Sequence, residues 1–213
     1  MKTTTSSRKF PALATALAVV IMCGLSVRPA QANYIVTLRQ IGPDVVAIGS
    51  GTIDLTDLTL QFSNDPTVNA RMIPEFAQIV MGSTTGGNVS DFYTGISSGP
   101  TNFGSGFITD ASAGGGDVVA LFYYPPFGAN QLGVPTGYLS GGLLSASDIY
   151  GGQTFSTLGV TPGTYVWTWG TGAHADSFTL IASVPDTGST LGLLLVSLLA
   201  LVGASRSRAL RVA

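Results

Sequence analysis

Short runs rich in β-branched and aromatic residues alternate with clusters of glycine, proline, asparagine and aspartate along most of this chain. The clearest runs read "NYIVTLRQ", "DVVAIGSGTIDLT", "FAQIVMG", "DVVALFYY", "TYVWTW" and "SFTLIAS". Runs of this length and composition predict β-strands, and several of them at short spacing predict a sandwich or a barrel. The 28 glycines and 11 prolines also favour turn-rich structure. We therefore expect an all-β fold, a single sandwich-like or barrel-like antiparallel domain over residues 33–182.

The predicted domain is acidic, whereas both ends of the chain are basic. Residues 33–184 contain ten carboxylates and two bases, Arg39 and Arg71, which gives a net charge of −8. The other seven of the nine lysines and arginines lie in the terminal segments. Because a negative field repels phosphate backbones, the charge pattern excludes nucleic acid as a partner.

The first 32 residues have the three-part pattern of a secretory signal peptide. A basic leader precedes an apolar run over residues 11–27, and the small residues Ala30 and Ala32 follow at the spacing that signal peptidase requires. We expect cleavage before Asn33; an uncleaved membrane anchor is the alternative. The single cysteine, Cys23, lies in this leader behind the bulky Met22, which disfavours lipidation. The mature chain then has no thiol and no disulfide.

The last 31 residues form a second tripartite segment, over residues 183–213. A polar pentapeptide at 184–188 precedes an apolar span at 190–204, and a basic tail at 205–213 carries Arg206, Arg208 and Arg211. Residues 191–204 include seven leucines and two valines among 14 uncharged positions. As a helix these residues cover ~21 Å, short of the ~30 Å bilayer core, so a buried helix is the alternative. We expect one short transmembrane helix with its arginines on the cytoplasmic side and the acidic domain exported.

The sequence "VPDTGST", followed by leucine-rich and arginine-rich parts, resembles the PEP-CTERM class of bacterial sorting signals, particularly its V-P-D-S-G variant. The resemblance implies an inner-membrane anchor that an exosortase-type protease recognises and cuts, so that the body reaches the cell surface or extracellular matrix. The implied recognition residues are those of the pentapeptide: Val184, Pro185, Asp186, Thr187 and Gly188. A sortase signal of the L-P-x-T-G type is the alternative. It is disfavoured because the first residue is Val184 rather than leucine and because only a short spacer separates Gly188 from the apolar run.

The segment "TPGTYVWTWG…ADSFTL" predicts a β-hairpin at the C-terminal edge of the domain and resembles the bodies of PEP-CTERM proteins of uncharacterised function. That resemblance implies no activity, so we expect a surface or matrix protein that is not an enzyme. Tyr165, Trp167 and Trp169 alternate and share one face of the predicted strand. The face either packs into the core or stacks on sugar rings of an exopolysaccharide, the binding function that we carry as an alternative.

Few residues of the domain point to chemistry. His174 is the one histidine, and Asp176 and Ser177 follow it so closely that strand geometry opposes a Ser-His-Asp triad. A secreted hydrolase is therefore the third hypothesis. We expect no cofactor, although oxygen ligands for Ca²⁺ stay open at two carboxylate pairs. These pairs are Asp54 with Asp57, and Asp110 with Asp117.

Overall fold

A computed structural model of the chain describes residues 33–67, 69–86, 88–124 and 129–184. The predicted signal peptide (1–32), apolar span (190–204) and basic tail (205–213) lie outside the described residues. The strands are β1 (Asn33–Ile41), β2 (Asp44–Thr52), β3 (Thr59–Pro66), β4 (Arg71–Ile73), β5 (Gln78–Met81), β6 (Val89–Thr94), β7 (Thr109–Asp110), β8 (Ala113–Gly116), β9 (Val119–Tyr124), β10 (Ala129–Pro135), β11 (Leu143–Tyr150), β12 (Gly163–Trp169) and β13 (Asp176–Ser183).

The strands form two sheets. Sheet I has the order β12-β13-β1-β2-β11-β8, and sheet II has the order β3-β6-β10-β9-β5-β4-β7. The strands of sheet I alternate between buried and more exposed residues, most regularly in β11 and β13, as half-buried strands must. The all-β prediction is confirmed, and of its two architectures the described residues form open sheets rather than a closed barrel.

One hydrophobic core fills the space between the sheets. Sheet I contributes Tyr34, Leu38 and Phe178, while sheet II contributes Met81 and Leu121, all almost fully buried. Burial of such side chains stabilises a fold by about 1.5–3 kcal/mol each, and the secreted domain predicted here has no disulfide to supplement it.

In the part of the chain that the structure describes, helical structure is confined to three short segments. The helix α1 (Phe155–Leu158) begins at Thr154, whose hydroxyl accepts from the Thr157 backbone N–H, and Gly159 ends it at φ 63°. Pro74–Phe76 and Gly172–His174 are 3₁₀ turns. Among the described residues, we find no helix with the length and apolar character that a membrane span requires.

The first and last strands of the domain pair in parallel, which corrects the expectation of a purely antiparallel domain. Asn33 pairs with Ser177 and Arg39 pairs with Ser183, while β2 flanks β1 on its other side. A parallel pair needs a long connection, and the whole domain lies between these two strands. Because both strands run the same way, Asn33 and Val184 lie at opposite ends of sheet I, about 20 Å apart at ~3.3 Å per residue.

Candidate functional site

The predicted sorting motif begins where sheet I ends. β13 stops at Ser183, and Val184 is 53% exposed. The other motif residues (Pro185, Asp186, Thr187 and Gly188) and the arginines of the tail (Arg206, Arg208 and Arg211) lie outside the described residues. A protease that reads this motif has to work within a few residues of a folded sheet.

The predicted signal-peptide cleavage site is at the opposite end of the domain. Asn33 is the first residue of β1, and Ala30 and Ala32 lie outside the described residues. The side-chain Oδ1 of Asn33 accepts a hydrogen bond from the Ser177 hydroxyl at 3.2 Å, which connects the start of β1 to the start of β13. The predicted processing points therefore lie at opposite ends of the sheet.

The aromatic stripe of β12 faces the core. Trp167 and Trp169 are 0% and 1% exposed, and Tyr165 is partly buried. Each indole N–H donates to a backbone carbonyl, Trp167 to Pro100 at 2.9 Å and Trp169 to Asp54 at 2.8 Å. The alternation predicted from sequence is present, but the shared face is packed, and it offers no platform for a sugar ring.

Polar side chains meet at the end of the sandwich where β1 begins. The Asp54 carboxylate accepts from the hydroxyls of Thr56 and Ser140, and its Oδ2 lies 2.9 Å from Nδ1 of His174. Partial burial alone would raise the pKa of Asp54, but these hydrogen bonds hold it well below its usual range. The same contact with Asp54 raises the pKa of His174. The pair therefore binds the 3₁₀ turn to the loop that follows β2.

Asp176 belongs to the same end but is buried, at 6% exposed. Its Oδ2 accepts from the Asp54 backbone N–H at 2.6 Å and its Oδ1 from the Ser177 backbone N–H at 2.6 Å. Burial raises the pKa of Asp176 despite these bonds. The hydroxyl of Ser177 donates to Asn33, and His174 contacts Asp54, so the three sequence neighbours are not arranged as a triad.

The two carboxylate pairs left open for Ca²⁺ have protein partners. Asp57 accepts from the Thr171 backbone N–H at 3.1 Å, and Asp117 accepts from the Ser145 backbone N–H at 2.8 Å. Asp110 forms an ion pair with Arg71 at 3.1 Å. Within the part of the chain that the structure describes, no group of three or more His, Cys, Asp or Glu side chains is placed to hold a metal ion.

One buried carboxyl group lies in the core itself. Asp148 of β11 is fully buried, and its two oxygens accept from the Gly82 backbone N–H at 3.2 and 3.3 Å. Burial raises the pKa of Asp148 to about 7, although the Gly82 hydrogen bond opposes the shift. The hydroxyls of Tyr34 and Tyr150 are also buried and have no hydrogen-bond partner among the described residues. The sequence did not reveal this group, because "LLSASDIY" is not among the predicted strands and Asp148 carries no local signal of burial.

Comparison with known protein families gives a match for the C-terminal segment of this chain. A protein-family model described as VPDSG-CTERM motif matches residues 183–208. The match confirms that the C-terminal segment is similar to a sorting signal of the PEP-CTERM type, and it covers the pentapeptide, the apolar run and two of the tail arginines. No curated protein and no solved structure matches the chain.

The matched motif bears on how the chain is sorted. It indicates an exported, membrane-associated surface protein that an exosortase-like protease processes through its C-terminus. The matched region begins at Ser183, the last residue of β13, and therefore directly follows the folded domain.

Proposed function

We propose that this chain is a non-enzymatic bacterial protein of the cell surface or extracellular matrix, anchored in the inner membrane and then released or transferred through its C-terminal signal. The observation that carries the proposal is the VPDSG-CTERM match at residues 183–208, directly after the last strand of a folded domain. Its partners are then signal peptidase, the inner membrane and an exosortase-like protease.

The charge distribution supports this topology. The domain carries ten carboxylates against two bases, whereas three arginines follow the apolar span. Arginines beside a span stay on the cytoplasmic side, and the acidic domain is then the part that crosses. The N-terminal signal-like segment predicts the same direction of export.

The fold adds an orientation to the anchored state. Because the tether leaves at Val184, the end of sheet I that contains Arg39 and Ser183 faces the membrane. The end with Asp54 and Asp176 then faces away from it. At the tether end Arg39 is compatible with anionic lipid headgroups and Asp44 is the opposing charge, while Asp54 and Asp176 lie at the far end.

The alternatives from the sequence gain no support from the site geometry. A carbohydrate-binding function through Tyr165, Trp167 and Trp169 needs exposed indoles, and these are buried. A hydrolase needs an activated nucleophile or a pair of carboxyl groups that flank a substrate cleft. The Asp54–Asp176 pair is occupied by hydrogen bonds that hold two loops together.

The membrane step is tested by replacing both Leu195 and Leu199 with aspartate in the full chain. Two charges inside a short apolar span cost about 5–7 kcal/mol of insertion free energy, more than that span supplies. We expect the variant to leave the membrane fraction and to remain unprocessed. The matched control replaces the same residues with isoleucine and keeps both membrane retention and processing. Membrane retention and normal processing of the aspartate variant would contradict the proposal.

A further inference from the structure

A groove lies on the outer face of sheet II, on the far side of that sheet from the core. Its lining includes Val80, Phe92 and Ala120 from a second hydrophobic cluster, against which Phe122 packs. The cavity volume is about 370 Å³, and Phe62 of the edge strand β3 forms part of its wall. This volume falls in the range of small-molecule binding sites, about 300–1,000 Å³.

The strand register of sheet II places two large residues next to two small ones at this groove. Phe62 pairs with Phe92, Phe92 with Gly133, and Gly133 with Ala120, so two rings stand beside two small residues across four strands. A Cβ at Gly133 would lie 2.6 Å from Cε1 of Phe92. Phe92 and Phe122 meet edge to face at 5.7 Å. The Phe92 ring therefore occupies the space that a side chain at Gly133 would need.

A buried amide lines the same groove without a partner. Gln131 is 3% exposed, and its Nε2 makes no hydrogen bond with any described residue. Its neighbours in the strand, Leu132 and Val134, point into the core, so Gln131 belongs to the outer face. An unsatisfied buried amide costs about 1–3 kcal/mol, and a bound group with an oxygen would remove this cost.

The charges of the residues that line the groove limit the chemical class of ligand that it can bind. Among the described residues that line it, Asp65 carries the one charge, and no lysine or arginine is present to bind an anion. The donor amide of Gln131 in turn opposes a cation. A hydroxyl group, which donates and accepts, suits both Asp65 and the amide in either of its two orientations.

We propose that this groove binds a neutral saccharide. A pyranose ring presents C–H bonds that pack on the electron-rich face of an aromatic ring, here that of the half-exposed Phe62, and hydroxyls that reach Gln131 and Asp65. The proposed site lies on sheet II, whereas the sorting signal continues from sheet I. It goes beyond the proposed function and does not depend on it, since binding is measured without reference to export or processing.

The test uses the full chain in detergent and titrates soluble neutral polysaccharides of glucose, mannose, galactose and xylose, with alginate as a polyanionic control. We expect at least one neutral polymer to retard the protein in affinity electrophoresis. Phe62→Ala should weaken that binding by about ten-fold or more, the loss of one aromatic contact. The matched control is Phe76→Ala, which removes a ring of similar exposure in the 3₁₀ turn Pro74–Phe76, and the affinity of this variant should equal that of the unmodified chain.

A second variant separates the ligand contact from a role in folding. Gln131→Met keeps the side-chain length and removes the unsatisfied amide, so we expect a higher melting temperature together with an affinity reduced about five-fold or more. Binding equal to that of the unmodified chain in Gln131→Met would overturn the proposal. So would equal losses in Phe62→Ala and Phe76→Ala, retardation by alginate alone, or no retardation by any of the neutral polymers.

Discussion

Replacing Asp148 with asparagine should stabilise the folded domain at neutral and alkaline pH. The carboxyl group is fully buried in the core, where its hydrogen-bond donor is the Gly82 backbone N–H. Ionisation there is unfavourable because the charge loses its hydration. Asparagine keeps an oxygen for the Gly82 N–H and carries no charge at any pH.

The magnitude follows from the pKa. Burial raises the pKa of Asp148 from 3.8 to about 7, and each unit corresponds to 1.36 kcal/mol, so the effect approaches about 4 kcal/mol. Between the unfolded and the folded pKa values, the folded state binds more protons than the unfolded state. The contribution of Asp148 to the free energy of unfolding therefore falls as the pH rises from about 4 to about 7. Above pH 7 this contribution does not recover. Asp54 and Asp91, whose pKa values are lowered, contribute in the opposite direction.

The assay is urea unfolding of the unmodified chain and the Asp148→Asn variant at pH 4, 6 and 8. The difference in unfolding free energy should be near zero at pH 4 and grow to several kcal/mol in favour of the variant at pH 8. Asp54 and Asp91 are present in both proteins, so their contributions cancel. As a control, Asp65→Asn removes an exposed carboxylate of β3 and should give only a small difference in unfolding free energy. A pH-independent difference for Asp148→Asn would refute the assignment.

Other predictions follow from the packing and from the motif. Trp169→Phe removes a buried hydrogen bond and ring volume, so thermal unfolding should show a loss of about 1–3 kcal/mol; an unchanged melting temperature would contradict it. Gly99→Ala places a Cβ against the Trp167 indole and should cost about 1–3 kcal/mol in the same assay, whereas an unaffected stability would mean that this contact relaxes freely. Asp186→Ala should abolish C-terminal processing, measured by intact mass, while Thr187→Ser preserves it; processing of both variants would exclude motif recognition.

The sequence predicted the strands that combine β-branched residues with alternation. β1, β12 and β13 coincide with the runs "NYIVTLRQ", "TYVWTW" and "SFTLIAS". β3, β6, β10 and β11 are among the strands that the sequence did not predict, and β3 and β10 show a physical reason. β3 is exposed throughout and held at the sheet edge by irregular pairing with β6, and β10 contains both Gly133 and Pro135. Neither strand shows the hydrophobic period on which the prediction depends.

The opposite sheet and the neighbouring loops decide which face of a strand packs into the core. Alternation placed Trp167 and Trp169 on one face, but their burial depends on the sheet opposite and on loop carbonyls far away in sequence. The groove was missed for the same reason. Phe62, Phe92, Phe122 and Gln131 come from four different strands, and only the register of sheet II brings them together. Parallel pairing of β1 with β13 likewise has no local sequence signal.

The central claim is that the folded domain is cargo of a C-terminal sorting signal, and intact-mass spectrometry of the protein recovered from the cell surface tests it most directly. We expect a species that begins at Asn33 and ends within or near residues 184–188. A surface species that still contains Arg211 would mean that the signal is not cut. A protein that retains residues 1–32 and stays in the cytosol would contradict export itself.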